Sequence, residues 1–272
     1  MLKQRVITAS ILAVLVVWAV LKLPVTGFGA ALLLMILPAA WEWARLAQLV
    51  ETRARLLYVG GILALVLALW PLHAAVVGGL MPLGVLGWCA LCGWLWSYSR
   101  QPQRRDAPAL IGAVGAVVLV LTWAALLGLR EQGQPDSGRY VLFLLLLIWG
   151  ADVGAYFAGR RWGQRRLAPA ISPGKTWEGV AGAAAMTLLL AVAGLLALPI
   201  GARWPLFLAL CVVTAGFSIV GDLFESMLKR QCGVKDSGTL LPGHGGVLDR
   251  VDSLTAAAPV FLAGLYWMDI PA

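Results

Sequence analysis

Charge is what this chain most conspicuously lacks. Only 12% of its 272 residues are Asp, Glu, Lys or Arg, against about 25% in a typical soluble domain. With 61% hydrophobic residues and a mean hydropathy of +0.86, that shortage excludes an ordinary water-soluble fold. Cysteine is scarce as well. Of the four present, Cys89 and Cys92 form one C-x-x-C inside the apolar run LGWCALCGW. No second pair completes a zinc site and no βαβ context supports a redox motif, so both read as small buried hydrophobes. A repeat of solenoid length is missing. A Walker A loop is missing too, because Gly174-Lys175-Thr176 would need a glycine where Pro169 stands. No cleavage site follows the first apolar segment, VITASILAVLVVWAVLK, so it is expected to be a retained helix rather than a signal peptide.

Long apolar runs are abundant. Crossing a hydrocarbon core takes about 20 helical residues, and nine runs qualify, at about 6–22, 24–40, 56–70, 74–97, 107–129, 140–159, 179–200, 204–221 and 254–270. Two of them, 24–40 and 56–70, are short. The expected fold is therefore all-α: a polytopic integral membrane protein with about nine transmembrane helices, eight or ten remaining open. N-terminal helices over 1–130 would precede a catalytic membrane region over 131–272, the two forming either separate units or one continuous domain. The net charge of +8 does not call for nucleic acid. If nine helices alternate from a cytoplasmic N-terminus, every Lys and Arg except Lys22, Arg130, Arg139 and Arg203 falls on the inner side, as the positive-inside rule requires.

The links between helices are uneven in character. Residues 41–58 form either an interfacial helix, with Trp41 and Trp43 at headgroup level, or the cytoplasmic extension of the second helix. REQGQPDSGR, at 130–139, is expected to be a short external loop. The second half gathers acid: seven of the 13 acidic residues, Asp152, Glu178, Asp222, Glu225, Asp236, Asp249 and Asp252, lie in two blocks assigned to the same inner face. Those blocks should meet in space.

Each block contains chemistry and a plainer alternative. In WGADVGAYFAGR, Asp152 lies within an apolar run, where a carboxylate needs a polar cavity, a metal or a partner such as Arg160. Gly150, Gly154 and Gly159 suit close helix contacts better than a phosphate loop. In ISPGKTWEG, Ser172, Lys175 and Thr176 precede a helix and could hold an anion at its positive end; otherwise Ser172 or Thr176 is an N-cap and Lys175 a snorkelling side chain. In GDLFESMLKR, residues 222, 225, 226 and 229 share one helix side. Glu225 and Lys229 could be an ordinary exposed i, i+4 pair, but Asp222, at the end of the apolar run, suits Mg²⁺. Beyond it, Lys229, Arg230 and Lys235 mix with Asp236, Asp249 and Asp252 around His244-Gly245-Gly246. Asp252 or Ser253 could alternatively cap the last helix.

The pattern S-x-x-K-R-x₄-K-D-x-G followed by P-G-H-G-G-x-x-D-R-x-D, from Ser226 to Asp252, resembles the signature of the phosphatidate cytidylyltransferase (CDP-diacylglycerol synthase) family. WGADVGAYFAGR and SPGKTWEG look like that family's preceding blocks, in order. The resemblance implies Mg²⁺-dependent transfer of the cytidylyl group from CTP to phosphatidate in the bacterial inner membrane, facing the cytoplasm, among membrane lipids, by a homodimer and with no nucleic acid. Under it, Asp222 and Asp249 would hold Mg²⁺, the presence of a second cation being open. Lys175, Lys229, Arg230, Lys235 and Arg250 would bind phosphates, while Asp152, Glu225, Asp236 and Asp252 would support the metal or orient the bases. His244, Gly245 and Gly246 would shape the nucleotide turn, beside Ser172 and Thr176. Lys229→Ala is expected to harm substrate use far more than folding. Rival readings are a secondary transporter and a lipid kinase; the first lacks a matching pair of interrupted helices in two halves.

Overall fold

In the computed structural model, residues 2–102, 105–131, 138–241, 243 and 245–269 are described. Nine α-helices lie among them: α1 (Leu2–Lys22), α2 (Val25–Leu46), α3 (Thr52–Leu69), α4 (His73–Arg100), α5 (Pro108–Glu131), α6 (Gly138–Trp162), α7 (Trp177–Ala197), α8 (Trp204–Gln231) and α9 (Leu248–Trp267). All nine expected runs coincide with a helix. Among the described residues, seven stretches are long and apolar enough to span a membrane: Val25–Leu46, Thr52–Ala75, Val77–Arg100, Pro108–Glu131, Gly138–Trp162, Trp177–Ala197 and Gly201–Gln231. The chain is thus a multi-pass membrane protein.

The helix outside this apolar set at the C-terminal end, α9, has a physical reason to be less oily. It packs against α8, α5, α4, α6 and α2, and its residues 253–262 are all buried. A helix that meets protein on every side does not face lipid, so it can carry Asp249, Asp252, Ser253 and Thr255. One buried cluster, containing residues from Val20 to Met268, joins the early helices to the late ones through it.

The second helix is longer than the expected 24–40. It continues without a break through residues 41–46, so this stretch is the extension of α2 and not a separate interfacial helix. Trp43 is only 1% exposed and its indole donates to the Ile111 carbonyl at 2.9 Å, which corrects its expected place at headgroup level. Gly115 makes the slot, since a Cβ there would run into the Trp43 ring.

Two short strands were not expected. β1 (Arg166–Ala168) and β2 (Ser172–Thr176) form an antiparallel hairpin between α6 and α7. These two helices cross closely: a Cβ on Gly154 would lie 2.5 Å from the Gly182 carbonyl oxygen, and one on Gly150 would strike Leu190. Within lipid, where burial of apolar surface between helices gains little, such small-residue contacts carry the packing. The expected external loop at 130–139 falls mostly outside the described residues.

Candidate active site

The hairpin sets the site. Glu178, in the first turn of α7, accepts from the backbone N–H of Gln164 at 3.1 Å and of Arg165 at 3.2 Å, closing the turn after α6. Thr176 is the N-cap of α7, its Oγ1 accepting from Gly179 N at 3.1 Å. Of the alternatives for that segment, capping thus falls to Thr176, whereas Ser172 pairs with Ala168 at the start of β2. Lys175, one residue before the cap, reaches across to α8 and meets Asp222 Oδ2 at 2.5 Å. The other oxygen of Asp222 accepts from Ser226 Oγ at 3.3 Å.

Behind this ion pair lies a cavity of about 480 Å³ between α6, the hairpin, α7 and α8. Its polar wall includes Asp152, Arg160, Lys175 and Asp222; its apolar wall includes Ala151, Ala155, Val180, Ala183 and Ile219. Asp152 is not paired with Arg160, whose Nη1 instead donates to the Tyr156 hydroxyl at 2.7 Å. The two sequence-distant blocks therefore do meet, at Lys175–Asp222. They meet again where Arg230 Nε donates to the Ile171 carbonyl at 3.1 Å.

Further along α8 is a second cluster, which does not line the cavity. Lys229 is only 7% exposed, with its ammonium 3.2 Å from Glu225 Oε1 and 2.8 Å from Asp249 Oδ1. The pairing of Glu225 with Lys229 is therefore an internal ion pair, not the exposed one that the spacing alone allowed. Asp249 also accepts from Ser237 N at 3.0 Å and Gly246 N at 2.8 Å. Arg230, besides its bond to Ile171, donates to the Val234 carbonyl at 3.3 Å.

The turn at 241–245 needs its glycines. Gly243 and Gly245 have φ of +77° and +80°, and a Cβ on Gly245 would lie 2.7 Å from Asp249 Oδ2. Leu241 N donates to the Gly245 carbonyl at 2.9 Å, closing the turn. His244 lies outside the described residues. Lys235, Asp236 and Arg250 are exposed nearby. Asp252 sits in α9 beside α8, where a Cβ on Gly221 would lie 2.5 Å from the Asp252 carbonyl oxygen. Neither it nor Ser253 caps α9, which begins at Leu248 with Val247 in the cap position.

One participant escaped the sequence reading altogether. Glu42, 1% exposed, comes from α2 and accepts from Val247 N at 3.1 Å, Leu248 N at 2.7 Å and Ser237 Oγ at 3.2 Å. Its only sequence signal is a lone acid in the apolar and basic stretch WEWARL, which says nothing of so distant a partner.

As a place for a divalent cation, the cavity offers two carboxylates, Asp152 and Asp222. Among the described residues no cluster of three or more His, Cys, Asp or Glu stands ready to ligate a metal. Mg²⁺ commonly takes one or two carboxylates and completes its shell with substrate phosphates and water, so the pair fits that ion. Asp249 already has donors on both oxygens.

The chain matches the model of the cytidylyltransferase family over residues 3–268. It is 40% identical to the phosphatidate cytidylyltransferase of Pseudomonas aeruginosa over 98% of this chain and 97% of that one. It is 38% identical to the phosphatidate cytidylyltransferase of Haemophilus influenzae, covering 96% and 97%, and 37% identical to that of Brucella melitensis, covering 100% and 97%. A match of this extent, over a chain in which Lys175 and Asp222 from two distant blocks meet at one cavity, makes the protein a member of the cytidylyltransferase family.

Proposed function

We propose that the protein transfers the cytidylyl group of CTP to phosphatidate, forming CDP-diacylglycerol and releasing pyrophosphate. The observation that carries this reading is the Lys175–Asp222 pair on the wall of a cavity that is polar on one side and apolar on the other. An amphipathic phosphate fits such a place, with its headgroup at Lys175 and Arg160 and its chains toward Ala151, Ala155 and Ile219. Family membership supplies the nucleotide half of the reaction.

The chemistry asks for little beyond charge control. The second ionisation of a phosphate monoester has a pKa near 6, so the lipid phosphate is already a nucleophile at neutral pH. Its oxygen attacks the α-phosphorus of CTP, a new P–O bond forms, and the bond to the β-phosphate oxygen breaks as pyrophosphate leaves. Lys175 and Arg160 offset the repulsion between the two polyanions, and the exposed Lys235 and Arg250 do the same for the departing phosphates. Mg²⁺, held by Asp222 with Asp152 or with Asp249, would neutralise charge on the CTP phosphates. Lys229 and Arg230 act by holding the loop and hairpin beside the cavity.

The site would face the cytoplasm of the bacterial inner membrane, with membrane lipid as the source of phosphatidate and a homodimer as the assembled form. The test is purified protein with radiolabelled CTP, phosphatidate and Mg²⁺. Label moving into a CDP-lipid with pyrophosphate release is the expected outcome. With the label in the cytidine, CDP release together with a phosphorylated but unlabelled lipid would indicate a kinase and overturn the proposal. Asp222→Asn should abolish turnover at ordinary Mg²⁺; substantial remaining activity would remove Asp222 from the metal role.

A further inference from the structure

The last helix begins without a cap of its own. Val247 occupies the cap position and offers no side-chain oxygen to the first free N–H groups of α9. That deficit is met from a helix more than two hundred positions earlier. Glu42 accepts from Val247 N and Leu248 N, the second at 2.7 Å, so a carboxylate from α2 occupies the positive end of α9.

The same carboxylate shapes the loop that carries the signature. Glu42 Oε2 accepts from Ser237 Oγ at 3.2 Å, while the backbone N–H of Ser237 goes to Asp249 at 3.0 Å. At the other end of the loop, Gly246 N goes to Asp249 and the next two N–H groups go to Glu42. Both ends are thus clamped between these two acids, and Asp249 in turn holds Lys229. Two signature glycines are fitted to Glu42: a Cβ on Gly238 would strike its Oε1, and one on Gly246 would lie 2.5 Å from its Oε2. Arg45, one turn further along α2, donates to the Ser237 carbonyl at 3.3 Å and supports the same point.

We infer that Glu42 is a positioning residue for cytidylyl transfer, an N-terminal latch that sets the loop of residues 237–248 and through it Asp249 and Lys229. The inference rests on the proposed reaction, but its structural arm does not. The geometry also confines the effect: Glu42 does not line the cavity assigned to phosphatidate, so the loop side of the site should respond and the lipid side should not.

The experiment compares Glu42→Gln and Glu42→Asp with the unaltered full-length protein in detergent. Glu42→Gln keeps the shape but replaces one acceptor oxygen by an NH₂ donor, which faces N–H groups that have nowhere else to go. Expected are faster amide hydrogen exchange in the segment 237–249 with unchanged exchange in α5 and α6, and a fall in kcat/KM for CTP of about tenfold or more. KM for phosphatidate should stay within about twofold. Glu42→Asp, which retains the charge on a shorter arm, should recover part of the loss in both readouts. Faster exchange with full activity would reduce Glu42 to a structural cap and overturn the inference, as would lost activity with unchanged loop exchange. If Glu42→Gln does not fold, Ser237→Ala, which removes one donor to the same carboxylate, must show the exchange change and the KM split or the inference fails. Should the unaltered protein make no CDP-lipid at all, the proposed reaction fails while the exchange arm still reports on the latch.

Discussion

Two lysines expected to bind phosphate, Lys175 and Lys229, turn out to have opposite physical situations. Lys229 is buried between Glu225 and Asp249, whereas the side chain of Lys175 is 27% exposed at the cavity wall. Removing one member of a buried ion cluster leaves uncompensated charge and costs about 3–5 kcal/mol. Lys229→Ala is therefore predicted to lower the thermal midpoint of the purified protein markedly as well as its turnover, a larger structural effect than the sequence alone suggested. Lys175→Ala should abolish turnover while moving the midpoint little, because the Asp222 it leaves behind still reaches solvent and Ser226. Parallel thermal scans and CDP-lipid assays check both, and equal midpoints for the two variants would contradict this partition. The residues of the signature were legible because their types and spacing are specific; their partners were not. A helical spacing of four places Glu225 beside Lys229 in any environment, and only the packing of α9 decides that the pair is dry. Glu42 was invisible for the same reason, since two of its three donors are backbone N–H groups that carry no sequence identity.

At the scale of elements, the placement of helices followed from apolar runs, while their ends and the hairpin did not. Hydropathy reports where lipid is met, so α2 was cut short where Glu42 and Arg45 enter, although the helix itself continues to Leu46. The strands β1 and β2 are three and five residues long, with Pro173 and Gly174 in the second, too short and too broken to stand out as strands in the sequence, and they sit where α6 and α7 are brought together. That convergence rests on glycine. In Gly154→Val the new side chain would meet the Gly182 carbonyl and the Met186 side chain. Overpacking of this kind costs about 1–3 kcal/mol, and forcing α6 from α7 also carries Asp152 away from Lys175. Gly154→Val should therefore lose both stability and turnover. Gly87→Ala provides the control, because nothing lies within 4 Å of a Cβ there, and the gain in helix propensity, about 0.8–1 kcal/mol in water, is the only change expected. Loss of stability in the control or retention of turnover in Gly154→Val would break the link between this crossing and the site.

Across the whole molecule, the sorting of basic residues in the sequence corresponds to two ends of the bundle. At one end, Arg45 reaches Ser237, Cys232 reaches Leu46, Gln231 joins Asp106 and Lys175 meets Asp222. At the other, Arg130 donates to the Leu23 carbonyl and Arg203 lies 3.6 Å from Asp269. All four cations placed outside by the positive-inside rule, Lys22, Arg130, Arg139 and Arg203, thus belong to helix termini or connections distinct from those of the site. If the positive-inside rule governs insertion here, the hairpin and the loop after α8 share the cytoplasmic side. Cysteine substitution tests this directly in bacterial membranes, in a Cys232→Ser background that keeps a donor for the Leu46 carbonyl. Arg165→Cys and Lys235→Cys should react with a membrane-impermeant maleimide only in inside-out vesicles, and Arg203→Cys only in right-side-out ones. Inversion of all three would reverse the orientation but leave the site intact. Labelling of residues 165 and 235 from opposite sides would instead separate the hairpin from the loop by the thickness of a bilayer, and the shared cavity, with the chemistry assigned to it, could not exist.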